Sequence, residues 1–175
     1  MTDWDAVVSR HVGIVQRTVH RLVGNHADAW DCIQETFLEA VKIDRREPVR
    51  TWPALLRHLA TARALDLLRS RYRQRNEHGS DLEQLQAAGR EPNPSSNAEA
   101  SELAERLRVA VGQLPRRQAQ VFCLTCFEQM SSEEIADRLG VSPTAVRMLL
   151  SRARRRLQRL LEPSGVAADK VDRVD

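Results

Sequence analysis

Lysine is almost missing from this sequence, with two residues beside 25 arginines in 175. Aromatic residues make up 4% of the chain and there are seven glycines. No apolar run approaches the ~20 residues of a spanning helix, so no membrane segment is expected, nor is a secretion signal. Three cysteines, an odd number without a secretion signal, point to a reducing cytoplasm. There is no glycine-rich phosphate loop, no carboxylate pair with a histidine nearby and no serine elbow, so an enzyme is not expected. His11, His20, His26, His58 and His78 show no ligand spacing. Cys123-Leu124-Thr125-Cys126 has metal or redox spacing, but no second pair supplies two more ligands. Cys32 and the scattered histidines are poor substitutes, so core packing is the better account and no cofactor or metal is expected.

What is present favours helices. Alanine, leucine, arginine and glutamate dominate, as in all-α proteins, and no internal repeat is visible. The net charge of +3 says little, but its distribution says more. Residues 50–78 hold seven arginines against Asp66 and Glu77, and residues 138–159 hold seven more with no acid. Between them, residues 80–105 hold six acids and one arginine. Two basic blocks around an acidic stretch suit two polyanion-facing surfaces, although solvated helix faces give the same pattern.

Along the chain, Val8, His11, Val15, Thr18, Val19 and Leu22 recur at helical spacing, with Asp3 or Thr2 as cap and a break at Gly24-Asn25. A second helix is expected over about 27–43, with Ala29, Ile33, Phe37, Ala40 and Val41 inward and Asp28, Asp31, Gln34 and Glu35 opposite. Thr51 can cap a third helix, with Pro53 in its first turn, reaching about Arg75. Leucines 55, 56, 59, 65, 67 and 68 form no clean stripe there, which implies a bend or burial on two sides. Residues 77–97, "EHGSDLEQLQAAGREPNPSSN", read as a flexible linker, with room for a short helix in "DLEQLQAA". The next helix is periodic through Leu103, Leu107, Ala110 and Leu114, and Pro115 opens another through Val121, Leu124 and Phe127. The tail from Pro163 is polar. The expected architecture is two small helical domains, residues 1–76 and 98–162, joined by the 77–97 linker and followed by a 163–175 tail. Domains of this size bury only ~60% of their unfolded surface, so each would be marginal alone.

The end of the second domain carries the sharpest local pattern. Ser131 and Glu134 form a capping box, Ile135, Ala136 and Leu139 make an inner face, and Gly140 suits a left-handed turn. Ser142 caps the following helix, Pro143 takes its first position, and Val146, Leu150, Ala153 and Leu157 turn inward. An alanine, a glycine four residues on and a valine six further is helix-turn-helix spacing. The second helix would enter the major groove with Thr144, Arg147, Met148, Ser151, Arg152 and Arg155 outward, where arginine can pair with guanine or grip phosphate. A helical hairpin with a solvated arginine face is the plainer account.

"GNHADAWDCIQETFLEAV", followed by "ALDLLRSRYRQR", resembles the first conserved region of sigma-70 family factors, most closely the small extracytoplasmic function (ECF) group. "LPRRQAQVFCLTCFEQMSSEEIADRLGVSPTAVRMLLSRARRRL" is similar to their C-terminal region. The resemblance implies a promoter-specific initiation factor with core RNA polymerase (β′ clamp and β flap) and promoter DNA as partners, and commonly an anti-sigma factor. It implies a monomer when free of polymerase. It puts Asp31, Gln34 and Glu35 on the clamp, the helix with Arg63, Arg69, Arg71 and Arg73 on the minus-ten element, and the helix after Ser142 on the minus-thirty-five element. The acidic linker would then thread toward the polymerase interior. The chain departs from that pattern in about three extra residues between Trp52 and "ALDLL", in Ala62 or Thr61 where asparagine is common, and in Leu149 where arginine is frequent. Trp52 and Tyr72 could stack on exposed bases, Trp52 being more natural in a core. The competing class is a two-domain operator-binding regulator whose first 76 residues sense a ligand or dimerise; it would bind duplex DNA without polymerase.

Overall fold

The computed structural model describes residues 2–24, 26–77 and 98–162, which contain helices, turns and loops and no strand. Among the described residues seven helices follow one another: α1 (Trp4–Val23), α2 (His26–Asp44), α3 (Trp52–Glu77), α4 (Ala98–Gly112), α5 (Arg116–Cys126), α6 (Ser132–Leu139) and α7 (Pro143–Leu161). Apart from Glu77, the expected linker with its short helix lies outside the described residues, as does the tail from Pro163.

Local chemistry sets the helix ends. The Asp3 carboxylate accepts the Ala6 N–H at 3.1 Å, and Gly24 ends α1 at φ 70° while donating to the His20 carbonyl. Val15, Val19, Leu22 and Val23 bury the inner face of α1, whereas Val8 stays partly in solvent. In α2 the stripe falls as the spacing predicts, with Ala29, Ile33 and Ala40 buried and Phe37 packed against them.

Helix α3 explains its own scattered leucines. Leu55, Leu56, Leu59, Leu65 and Leu68 are all buried although they share no stripe. Helices α1 and α2 pack on α3, and so do α4, α5 and α6. Burial on two sides is therefore the right account of the pattern. Each such leucine contributes about 1.5–3 kcal/mol when removed from water.

One apolar cluster runs from Val15, Ile33 and Leu56 through Leu68 to Val111, Leu114, Ala119, Ala153 and Leu157. The N-terminal and C-terminal helices thus share a core, which answers the small size of each unit. A second cluster gathers Val121, Leu124, Ile135, Ala136 and Val146, with Ala54 of α3 added to it. One expectation fails here. Leu103, placed on the inner stripe of α4 by its spacing, is 57% exposed, because none of the described elements covers that turn. The stripe is covered only from Leu107 onward.

Candidate nucleic-acid interface

The turn between α6 and α7 is built as its residues dictate. The Ser131 hydroxyl accepts the Glu134 N–H at 3.1 Å, and the Glu134 carboxylate accepts the Ser131 N–H at 2.8 Å. The bonds from Ser131, its backbone N–H foremost, hold the Glu134 carboxyl below its ordinary value. Gly140 sits at φ 63°, and both its N–H and that of Val141 donate to the Ala136 carbonyl. Ser142 then caps α7 through a 3.1 Å bond from the Ala145 N–H, with Pro143 in the first position. Ala136 and Val146 are buried in the same cluster, closing the two helices at the turn. This is helix-turn-helix geometry.

Helix α7 has two clean faces. Val146, Ala153 and Leu157 are buried, with Leu149 and Leu150 partly covered. Thr144, Arg147, Met148, Ser151, Arg152 and Arg155 are all exposed. At about 100° per residue these six fall within an arc of about 140°, so they form one surface. Arg147 donates to Thr144 one turn earlier, at 3.3 Å. Sequence reasoning passed over Arg154, Arg156 and Arg159, which are also exposed. Arg154 joins Arg147, Ser151, Arg155 and Gln158 around a shallow groove on the same helix. The unbroken absence of acid over 138–159 was the signal for them. Leu149 packs against the second cluster, so it does not belong to the outward surface.

The four arginines assigned to α3 do not form one surface. Arg63 reaches back to α2, 3.8 Å from Glu35 and 3.4 Å from Glu39. Arg69 donates to the Leu114 carbonyl, at the far side of α3. Arg71 bonds the Val23 carbonyl at 3.2 Å and pairs with Asp28. Arg73 is exposed. Thr61 is buried with its hydroxyl unpartnered, and Ala62 is half-buried.

On α2, Asp31, Gln34 and Glu35 are exposed side by side. Two residues missed in the sequence join them: Trp30 is 57% exposed and Leu38 54%. Both lie off the buried stripe of Ala29, Ile33 and Phe37, and that displacement was the available signal. Between them, Cys32 is buried, and its thiol is pushed up to about 11 by burial and by Glu35 and Asp31.

The remaining candidates resolve locally. Trp52 meets Trp4 edge to face at 5.1 Å, a packing contact. Tyr72 lines a crevice with Leu68, Glu105 and Arg108. Cys123 is fully buried, which pushes its thiol up, while Cys126 is exposed. The two sulfurs therefore stand in different surroundings, and among the described residues no cluster of three metal-ligating side chains forms. No helix among them is long and apolar enough to cross a membrane.

Comparison with known proteins agrees with this layout. Residues 7–74 match the family model for sigma-70 region 2, and residues 104–157 match that for sigma-70 region 4. The chain is 33% identical over 159 residues to the ECF RNA polymerase sigma factor SigE of Mycolicibacterium smegmatis, covering 90% of this chain and 61% of that protein. It thus spans less than two thirds of that relative's length. It is 32% identical over 163 residues to the RNA polymerase sigma factor CnrH of Cupriavidus metallidurans, covering 89% of this chain and 85% of the other. In fold it is similar to the sigma factor RpoE of Bartonella quintana, solved in complex with the anti-sigma factor NepR, with a TM-score of 0.59 and 22% identity over 94% of this chain and 99% of that one. A helical frame in which region 2 and region 4 patterns follow one another, with CnrH matched along 85% of its length, places the chain in the sigma-70 family, among the ECF sigma factors.

Proposed function

We propose that this protein binds core RNA polymerase in the cytoplasm and directs it to specific promoters, taking no catalytic part itself. The observation that carries the reading is α7: six outward residues on one arc, three of them arginines, on a helix without acid and held by a helix-turn-helix. Arginine so presented can grip phosphate and pair with guanine in the major groove. In this reading α7 reads the minus-thirty-five element. The basic helix α3 lies at the minus-ten element, with Arg73 more open to solvent than Arg57, Arg63, Arg69 or Arg71. The exposed face of α2, with Asp31, Gln34 and Glu35 around the apolar Leu38, docks on the β′ clamp, and the C-terminal helices face the β flap. Domain limits at 1–76 and 98–162 fit these roles. The likeness to a factor solved with NepR supports an anti-sigma factor as a further partner.

The test is multi-round transcription from a genomic fragment library with core polymerase, with and without the protein. Discrete new start sites that depend on the protein are expected. No new starts and no binding to core, alongside specific binding of the free protein to duplex DNA, would identify an operator-binding regulator instead. Charge reversal at both Asp31 and Glu35 should abolish core binding while the helix content stays unchanged. Normal binding by that folded variant would remove them from the docking surface.

A further inference from the structure

The junction between the two halves of the molecule is crowded with positive charge. Arg21 of α1 donates to the Phe127 carbonyl and lies 3.5 Å from Glu128, and Arg57 of α3 lies 3.8 Å from the same carboxylate, which is only 8% exposed. Arg116 of α5 lies 3.3 Å from Asp66 of α3. Arg138 of α6 donates to the Thr51 carbonyl, Arg69 to that of Leu114, and Arg117 to that of Leu139. Three carboxylates thus stand beside six arginines: Asp66 meets Arg69 and Arg116, Glu128 meets Arg21 and Arg57, Glu134 also feels Arg57, and Arg117 and Arg138 are bonded to backbone carbonyls. Backbone contact is close as well: a Cβ on Gly112 would stand 3.4 Å from the Leu68 carbonyl oxygen.

In the midst of these charges, on α3, stands His58. It is half-buried, and its Nδ1 is shut away from solvent without a hydrogen-bond partner. No arginine donates to that nitrogen, and the bonds of Arg117, Arg138 and Arg116 go to Leu139, Thr51 and Asp66. A neutral imidazole fits this place. An imidazolium would add a charge where cations already outnumber carboxylates, and it would leave a buried N–H without an acceptor.

We propose that this junction is an acid-opened latch: when His58 takes up a proton, the α5–α6 face parts from α3 and the two halves of the chain separate. Both halves keep their own helices. The far side of α3, with Arg69 and the Tyr72 crevice, is uncovered by the same motion. That this surface then meets promoter DNA rests on the function proposed above; the opening itself does not.

The direction follows from linkage. Burial foremost, then Arg138, Arg117 and Arg116, lower the His58 value below the ordinary 6.5 in the closed state. The closed form therefore binds the proton more weakly than the open one. Its stability is complete above the open-state value and is lost as pH falls from about 6.5 through the lowered value.

Small-angle X-ray scattering of the full chain from pH 7.5 to 5.5, with far-ultraviolet circular dichroism in parallel, reads the opening directly. A compact chain of this length has a radius of gyration of about 16 Å, and opening should raise it by roughly a fifth or more at constant helicity. His58→Asn should stay closed throughout, and His58→Arg should be open at pH 7.5. A wild-type radius that does not change, an equal expansion in His58→Asn, or expansion together with loss of helix would each overturn the latch. A proton-NMR titration of the wild-type imidazole does not depend on any variant folding, and a His58 midpoint at or above 6.5 would overturn it too. Transcription with core polymerase is a separate readout: its absence would remove the sigma reading and leave the latch standing.

Discussion

Helices α3 and α7 carry six arginines each, and they use them in opposite ways. Arg57, Arg63, Arg69 and Arg71 of α3 reach groups on other helices or the loops beside them. Those of α7 point to water, and Arg147 bonds only back to its own first turn. The reason lies in the surroundings rather than the composition. Helix α3 is enclosed, so its long side chains extend along neighbouring surfaces until they meet a carboxylate or a carbonyl. Helix α7 is covered on one side, so its polar arc meets no other element among the described residues. A run of arginine marks a binding surface only where the fold leaves it unpartnered.

The largest test of that contrast is in the core of α3. Leu65→Ala should cost about 2–5 kcal/mol, because the side chain is sealed and both halves of the molecule pack on its helix. Since one cluster spans both halves, urea unfolding followed by circular dichroism at pH 7.5 should remain a single transition with a lower midpoint. Two separated transitions would mean that the halves do not share their core energetically, and α3 would lose its special place.

Helix α7 should behave in the reverse manner. Arg147→Ala and Arg152→Ala should each weaken promoter activity by roughly 1–3 kcal/mol if the side chain reads a base. Exposed as they are, each should leave the unfolding free energy within about 0.5 kcal/mol of wild type. Equal losses of stability and activity would show a structural role, and an unchanged promoter profile would take both residues off the reading surface.

This division also explains what could be read from the sequence. The helix-turn-helix was legible almost residue by residue, because Ser131, Glu134, Gly140, Ser142 and Pro143 act through bonds within a few positions of themselves. All six outward residues of α7 followed from its period. The arginines of α3 were not legible in the same way. Their partners lie 24 to 71 positions away in the chain, as with Arg63 and Glu39 or Arg57 and Glu128, and local spacing carries no record of such distances. The shared core was hidden for the same reason. Leu103 shows the converse limit, since its period was right but none of the described helices covers it.

The turn allows a smaller test. At Gly140 a Cβ would meet nothing within 4 Å, so Gly140→Ala isolates the cost of holding an alanine at φ 63°. That cost should be about 1–2 kcal/mol, and Gly140→Asn should lose less. A neutral Gly140→Ala would mean that the turn relaxes to another conformation, and α7 would then lose its angle to α6.

The smallest effect expected concerns the box that starts α6. Glu134 is exposed, and its carboxyl is held below the ordinary value by the bonds from Ser131. A carboxylate so lowered stabilises the folded chain above its unfolded value and ceases to do so as pH falls through the folded one. Glu134→Gln keeps an oxygen that can accept the Ser131 N–H but has no proton to gain. Its stability at pH 7.5 should fall slightly, and the difference from wild type should shrink as the pH is taken below 4.5, the ordinary value for the group. Because α6 begins on the same bonds whether the acceptor is charged or neutral, the variant should keep its helix content. A difference that stays constant from pH 7.5 to 3 would show that the charge contributes nothing there and that the neutral hydrogen bonds alone hold the start of the helix.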